Sequence, residues 1–275
     1  MKFKGLAAVT ALCVGTAFFQ LWNGLAQAKG PLQQIKTYQI YYAEPTASAL
    51  ASLRKYGMAV IEPQHYTSVQ IAALKKAGTL PAAYLSVMES PAWNRIRMDQ
   101  LKPGHFLLRN GARVHFKAWD SYLMDLRQPA YRKVLLDEIG LMVDKGFPVL
   151  FLDTVGDIDE YIPDRLTREQ MRKAYVTFLG EIHTRFAGLS LIQNRAFDSL
   201  PLAAPYIQGF LWEDWRGEWR QDEWTAKRVE LVRQYQSKGL AVFAVSSRSK
   251  AGDAKEAAKL QFIHLETSSS YDKMK

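Results

Sequence analysis

Short apolar runs that end in an acid are the feature that most narrows what this chain can become. Val149-Leu-Phe-Leu-Asp153 and Ile207-Gln-Gly-Phe-Leu-Trp-Glu213 are the clearest, with weaker versions at Ile40-Tyr-Tyr-Ala-Glu44, Ala59-Val-Ile-Glu62 and Ala83-Tyr-Leu-Ser-Val-Met-Glu89. A strand buried on both faces of a parallel sheet reads as an unbroken apolar run, and in a parallel barrel the working side chains project from the strands' C-terminal ends. Five carboxylates would then meet at one mouth. Like charges gathered there repel unless some keep protons or meet a cationic ligand, so the pattern points to chemistry.

The fold lies downstream of a leader. Lys2 and Lys4, the largely apolar stretch Gly5 to Leu25 and the small-x-small site Ala26-Gln27-Ala28 predict a secretion signal over residues 1–28. Leu12 before Cys13 is a poor lipoprotein signal, so the expectation is a soluble protein, secreted or periplasmic, with no stable membrane insertion after cleavage. Cys13 is the sole cysteine. Its loss with the leader would exclude disulfides, a cysteine nucleophile and thiolate metal sites.

Residues 29–275 are expected to form one domain, since no long Gly/Ser/Pro linker divides them. Strands are predicted at 37–42, 58–61, 80–87, 149–152, 189–193, 207–212 and 240–245. Helices are predicted at 46–55, from Thr67 to Gly78, and at 129–145, 167–186, 224–237 and 253–264. Alternation of this kind implies right-handed crossovers and a TIM-type (β/α)8 barrel of the α/β class. Ser90 to Tyr122 breaks the rhythm and reads as an insertion after strand three, with a hairpin turning at Asn110-Gly111. The eighth strand is irregular or missing: the polar tail from Glu266 offers only Thr267 to Tyr271.

The formal net charge of +9, or +7 without Lys2 and Lys4, comes from basic residues spread along helices rather than from one run with interleaved aromatics. Nucleic acid is therefore not the expected partner. Asp153-Thr-Val-Gly-Asp-Ile-Asp-Glu160 lacks the spacing of a calcium loop, and the five histidines show no metal-binding pairing. Neither a Gly-x-Ser-x-Gly elbow nor a phosphate-cradling loop is present. The expectation is a hydrolase that needs no cofactor and no metal.

Two carboxylates from different strands of one mouth suit hydrolysis of a glycosidic bond, one as acid on the leaving oxygen and the other as nucleophile or base, according to their separation. Asp153 and Glu213 are the candidates. The competing role for Asp153, capping a following helix, is weakened because the next predicted helix starts only near Thr167. Glu213 could instead pair with Arg216 or Arg220. Tyr41, Tyr42, Tyr84, Trp93, Trp119, Trp212 and Trp215 crowd the same ends and could stack on sugar rings or pack in the core.

These motifs, with Tyr38-Gln-Ile-Tyr-Tyr42, Gly146-Phe-Pro-Val-Leu-Phe-Leu-Asp153, Asn194 and Gly209-Phe-Leu-Trp-Glu213 in order, resemble glycoside hydrolase family 114, the endo-α-1,4-polygalactosaminidase family. The resemblance implies endo cleavage of α-1,4-linked galactosamine-rich polysaccharide with retention. Asp153 would be nucleophile, Glu213 acid/base, and Glu89, Asp125 and Asn194 would support the sugar. Tyr42, Glu44, Glu62, Tyr84, Trp212 and Trp215 complete the expected substrate-binding set. Met88 in place of the family's Gly, and Thr154-Val155 in place of an Asn-containing continuation, are departures. The polysaccharide is the one partner expected, and the protein is expected to be a monomer. Two other classes stay open: a non-catalytic carbohydrate-binding protein on the same barrel, and an exo-acting α-galactosidase-like enzyme.

Overall fold

The computed structural model describes residues 30–247, 250, 252–267 and 270–273. The predicted secretion signal and Cys13 lie outside the described residues. Eight parallel strands form one sheet in sequence order: β1 (Tyr38–Tyr41), β2 (Met58–Ile61), β3 (Leu80–Ser86), β4 (Val149–Asp153), β5 (Ser190–Asn194), β6 (Gly209–Glu213), β7 (Ala241–Ser247) and β8 (Ile263–Thr267). The ladder runs without a break from β1 through β8, for example Tyr38 opposite Met58, Ala82 opposite Val149, and Val245 opposite Leu265. Among the described residues it does not pair β8 back to β1. Across that seam the Tyr42 amide donates to the Tyr271 carbonyl at 2.8 Å. The sheet is thus a nearly closed barrel of the TIM type.

Helices between the strands cover the outside: α1 (Ala47–Leu53), α2 (Ser68–Lys76), α3 (Pro129–Asp144), α4 (Arg165–Arg185), α5 (Glu223–Gln236) and α6 (Asp253–Lys259). Local sequence sets their ends. Thr67 caps α2 through a reciprocal capping box with Gln70, and Asp164 and Asp222 accept from Thr167 and Thr225 to cap α4 and α5. No helix among the described residues is long and apolar enough to cross a membrane.

Side chains alternate along each strand with period two. One set fills the barrel interior, including Ile40, Val60, Ala82, Phe151, Ile192, Leu211 and Phe243, and the other packs outward under the helices, including Tyr41, Leu150, Leu152, Leu191, Phe210 and Trp212. Leu32, in the turn Pro31–Gln34, joins the interior set. A Cβ on Gly209 would stand 3.1 Å from Leu32 Cδ1 and 2.9 Å from Ile192 Cγ1, so the close approach there requires glycine.

The insertion after β3 is built as expected from its turn residues. Leu108–Arg109 and Ala112–Arg113 pair across Asn110 (φ 53°) and Gly111 (φ 78°), both left-handed as a tight hairpin turn needs. Glu89–Pro91, Ser121–Leu123 and His115–Phe116 form a second small antiparallel sheet.

Two expectations are corrected. The eighth strand is regular and lies at Ile263–Thr267, not at 267–271. Helix α6 stops at Lys259, with Gln261 at φ 58°, and the following residues run straight into the sheet. The helix after Asp153 comes sooner than Thr167, as the short turn Asp157–Glu160 intervenes; its cap position is Gly156, so Asp153 caps nothing.

Candidate active site

Period-two alternation brings the strand-end groups to the axis. Phe151 points inward and so does Asp153; Ile192 leads to Asn194, Leu211 to Glu213, Ile40 to Tyr42 and Ala82 to Tyr84. Asp153, Asn194, Glu213, Tyr42 and Tyr84 line one cavity of about 1050 Å³ at the C-terminal mouth, together with Glu62, Glu89, Asp157, Tyr271 and the insertion's Trp93 and Trp119.

Asn194 organises the centre. Its Nδ2 donates to Asp153 Oδ1 at 2.7 Å and to Glu213 Oε2 at 2.9 Å, so one amide group spans both carboxylates. The Tyr271 hydroxyl donates to the other Glu213 oxygen, Oε1, at 2.8 Å, and Tyr84 hydrogen-bonds Asp153. Burial, followed by the charge on Asp153, pushes Glu213 above the usual carboxylate range against the opposing pull of Asn194 and Tyr271. Burial and the Asp153 charge likewise hold Tyr42 and Tyr84 as neutral phenols. The arginines that might have neutralised Glu213 are occupied: Arg216 donates to the Trp215 and Ser247 carbonyls, and Arg220 pairs with Glu256.

Each of the three central strands ends in the same way. Thr154, Arg195 and Asp214, directly after Asp153, Asn194 and Glu213, have φ of 61°, 52° and 57°. Left-handed backbone at a non-glycine residue costs on the order of 1–3 kcal/mol, and a β-branched threonine is the least tolerant of it. Thr154 is held there by its hydroxyl, which accepts from the Val87 and Met88 amides at 3.1 and 2.9 Å and donates to the Asp153 carbonyl at 2.7 Å. The departure at Thr154 is therefore a structural tie between the ends of β3 and β4.

A buried ion pair fixes the insertion beneath the mouth. Arg97 pairs with Glu138 of α3 at 2.8 Å and donates to the Ser86 and Glu89 carbonyls, both at 2.8 Å, while Asn94 holds the second Glu138 oxygen at 2.9 Å. Glu62 lines the cavity wall, pushed up to about 7 by burial.

Four expected substrate-binding residues lie elsewhere. Trp212 has outward parity on β6 and packs edge-on against Phe197 and Trp215 in the outer core. Trp215 is fully buried, its indole donating to the Asp253 carbonyl at 3.0 Å. Asp125 is locked by Arg127 through two 2.8 Å bonds; burial would raise this acid, but the bonds from Arg127 and Gln128 outweigh it and hold it below its usual range. Glu44 is exposed beyond the end of β1, with its carbonyl accepting from Tyr41, and does not line the cavity. Conversely, sequence reasoning passed over Tyr271 and Asp157. Tyr271 stands in the tail weighed only as a poor closing strand, and Asp157 in a run weighed only as a calcium loop.

A family model described as glycoside-hydrolase family GH114 matches residues 23–271. The glycoside hydrolase domain of PelA from Pseudomonas aeruginosa superposes with a TM-score of 0.70 at 25% identity, covering 87% of this chain and 97% of that one. Aspergillus fumigatus Ega3, in a structure with galactosamine, gives 0.68 at 17% identity, covering 89% and 94%. The α-galactosidase TtGalA from Thermus thermophilus gives 0.54 at 12%, covering 86% and 58%. At those identities the last two speak to the fold alone. No curated protein matches the chain. With the family match running through β1 to β8 and on to Tyr271, the chain belongs to glycoside-hydrolase family GH114.

Proposed function

We propose that this glycoside hydrolase cleaves within α-1,4-linked, galactosamine-rich polysaccharide outside the cytoplasm, with retention of configuration. The observation that carries the mechanism is the Asn194 bridge. A nitrogen 2.7 Å from one carboxylate oxygen and 2.9 Å from the other keeps those two facing oxygens no farther apart than the two lengths laid end to end, which supports the close carboxyl pair of a retaining enzyme over the roughly 6.5 Å or more of an inverting pair that admits water between them. The spacing suits direct attack by a carboxylate on the sugar.

In this reading Asp153, oriented by Asn194 and Tyr84, attacks the anomeric carbon while Glu213 gives its proton to the departing oxygen. A covalent glycosyl ester on Asp153 forms. Glu213, now ionised and still held by Tyr271 and Asn194, takes a proton from the incoming water that releases the sugar. The substrate class is supported by the relatives: Ega3 was solved with galactosamine, and the PelA domain shares a quarter of its aligned residues with this chain. The predicted leader supports export.

The test is mass spectrometry of products from partially deacetylated poly-galactosamine, with NMR of the first-formed anomer. Wild-type protein is expected to release short galactosamine oligomers of retained α configuration. Asp153→Asn should release none while melting no lower, because one of two neighbouring carboxylates has been neutralised. Retention of polymer without any cleavage would instead favour a binding protein, and release of single sugars from one chain end would favour the exo enzyme.

A further inference from the structure

The charges of the first three strand–helix units are sorted by end. Between Pro31 and Glu89 the chain carries the cations Lys36, Arg54, Lys55, Lys75 and Lys76 and the acids Glu44, Glu62 and Glu89. Each acid follows the C-terminal end of a strand, at the mouth, and each cation precedes β1, β2 or β3, in a loop or at a helix end. Because the strands are parallel, those loops share one face, the floor of the barrel. Hydrogen bonds stitch them together: the Met58 amide donates to the Thr37 carbonyl at 3.2 Å, the Leu80 amide to the Gly57 carbonyl at 2.9 Å, and the Thr79 hydroxyl to the Leu53 carbonyl at 3.3 Å. All five cations are exposed. Lys238, exposed beneath β7, adds another beside Gly239. Basic residues that look scattered along the chain are thus gathered by the topology.

Cations at helix C-termini complement the helix dipole, which accounts singly for Arg54, Lys55, Lys75 and Lys76 at the ends of α1 and α2. It does not account for Lys36, which lies in no helix, nor for the clearing of every carboxylate of residues 31–89 from the same end. Elsewhere on the floor the charges largely cancel. Arg185 pairs with Asp137 and Lys259 with Glu256, and Asp144 ends α3 as an exposed acid. The positive field is therefore concentrated beneath β1 to β3.

The chain also enters the barrel at this face. Gly30 leads into the turn Pro31–Gln34, whose Leu32 packs into the barrel interior and whose Gln33 side chain donates to the Gly239 carbonyl at 2.7 Å. Residues 1–28, the predicted secretion signal, are joined to the protein there. We propose that the basic floor docks on the anionic phospholipid headgroups of a bilayer, holding the barrel with its mouth turned outward. A soluble polyanion would meet the same charges, but a leader in the membrane leaves the floor as the nearest face of the folded barrel. Each Lys or Arg held near an anionic bilayer strengthens binding about fivefold, and salt screens that attraction. The inference is independent of what the mouth cleaves.

The test is co-sedimentation of the exported protein with vesicles of phosphatidylcholine containing one-third phosphatidylglycerol, and with vesicles of phosphatidylcholine alone, at low and high salt. Wild type is compared with Lys36→Gln/Lys55→Gln/Lys76→Gln, and with Arg165→Gln/Lys173→Gln/Lys227→Gln, which removes the same charge from α4 and α5 above the floor. Wild type is expected to bind the anionic vesicles at low salt, to release them at high salt and to ignore the neutral ones. The floor variant should bind about a hundredfold more weakly, while the other variant should stay close to wild type. Both should melt with wild type, since the replaced side chains are exposed. A floor variant that bound anionic vesicles as well as wild type would overturn the docking face. Equal weakening by both variants would do the same, by tracing binding to net charge. Undiminished capture by phosphatidylcholine alone would trace it to apolar insertion, and tighter binding to duplex DNA at the same salt would assign the floor to a soluble polyanion instead.

Discussion

At the residue scale, the centre of the mouth separates two chemically similar acids by their surroundings. Asn194 gives each a hydrogen bond from the same non-titrating group, so what distinguishes Glu213 is burial beside a charged neighbour. A carboxyl raised in this way keeps its proton to higher pH than an ordinary glutamate, and a general acid works only while it has one. Hydrolysis of polymer should therefore fall as pH rises through the raised value of Glu213. Glu213→Gln should remove that limb of the profile and lower turnover on polymer by roughly 10²- to 10⁴-fold, yet lose far less on aryl glycosides whose leaving groups need little protonation. Equal losses on both substrates would remove Glu213 from the acid role.

At the scale of elements, the strands explain what the sequence could and could not disclose. The acids at the ends of β4 and β6 were legible because a buried parallel strand tolerates a carboxylate only where it emerges, and the apolar runs point straight at them. Trp212 was misjudged although the same rule excludes it: two residues separate inward neighbours, so Leu211 and Glu213 share the axis and the tryptophan between them faces the helices. Strand β8 was hidden because His264 and Glu266 interrupt a five-residue run and the periodicity of α6 extends into it. Tyr271 and the Arg97–Glu138 tie involve partners 58 and 41 positions away, which local pattern cannot reveal. That tie has its own consequence. Arg97→Met leaves Glu138 buried without its partner and is expected to cost about 3–5 kcal/mol in urea unfolding, whereas Arg97→Met with Glu138→Leu should recover most of it. Equal destabilisation by the single and double variants would show that packing, not charge, holds the insertion.

For the whole molecule, a chain of net charge +9 presents an acidic mouth, and a cationic polymer would be drawn by the local field of that mouth rather than by the overall charge. The barrel that carries the mouth is sealed on seven sides by strand ladders and on the eighth by a tail segment, whose Tyr271 accepts from Tyr42 on one side and donates to Glu213 on the other. Local openings begin where few hydrogen bonds resist them. Heating should thus peel Tyr271 from the seam before the sheet melts, and activity is expected to vanish several degrees below the calorimetric transition and to return on cooling; coincidence of the two midpoints would refute this. The proposed proton donor is in effect wired to the barrel's clasp, so the enzyme would turn itself off whenever the clasp is undone, long before it is in danger of coming apart.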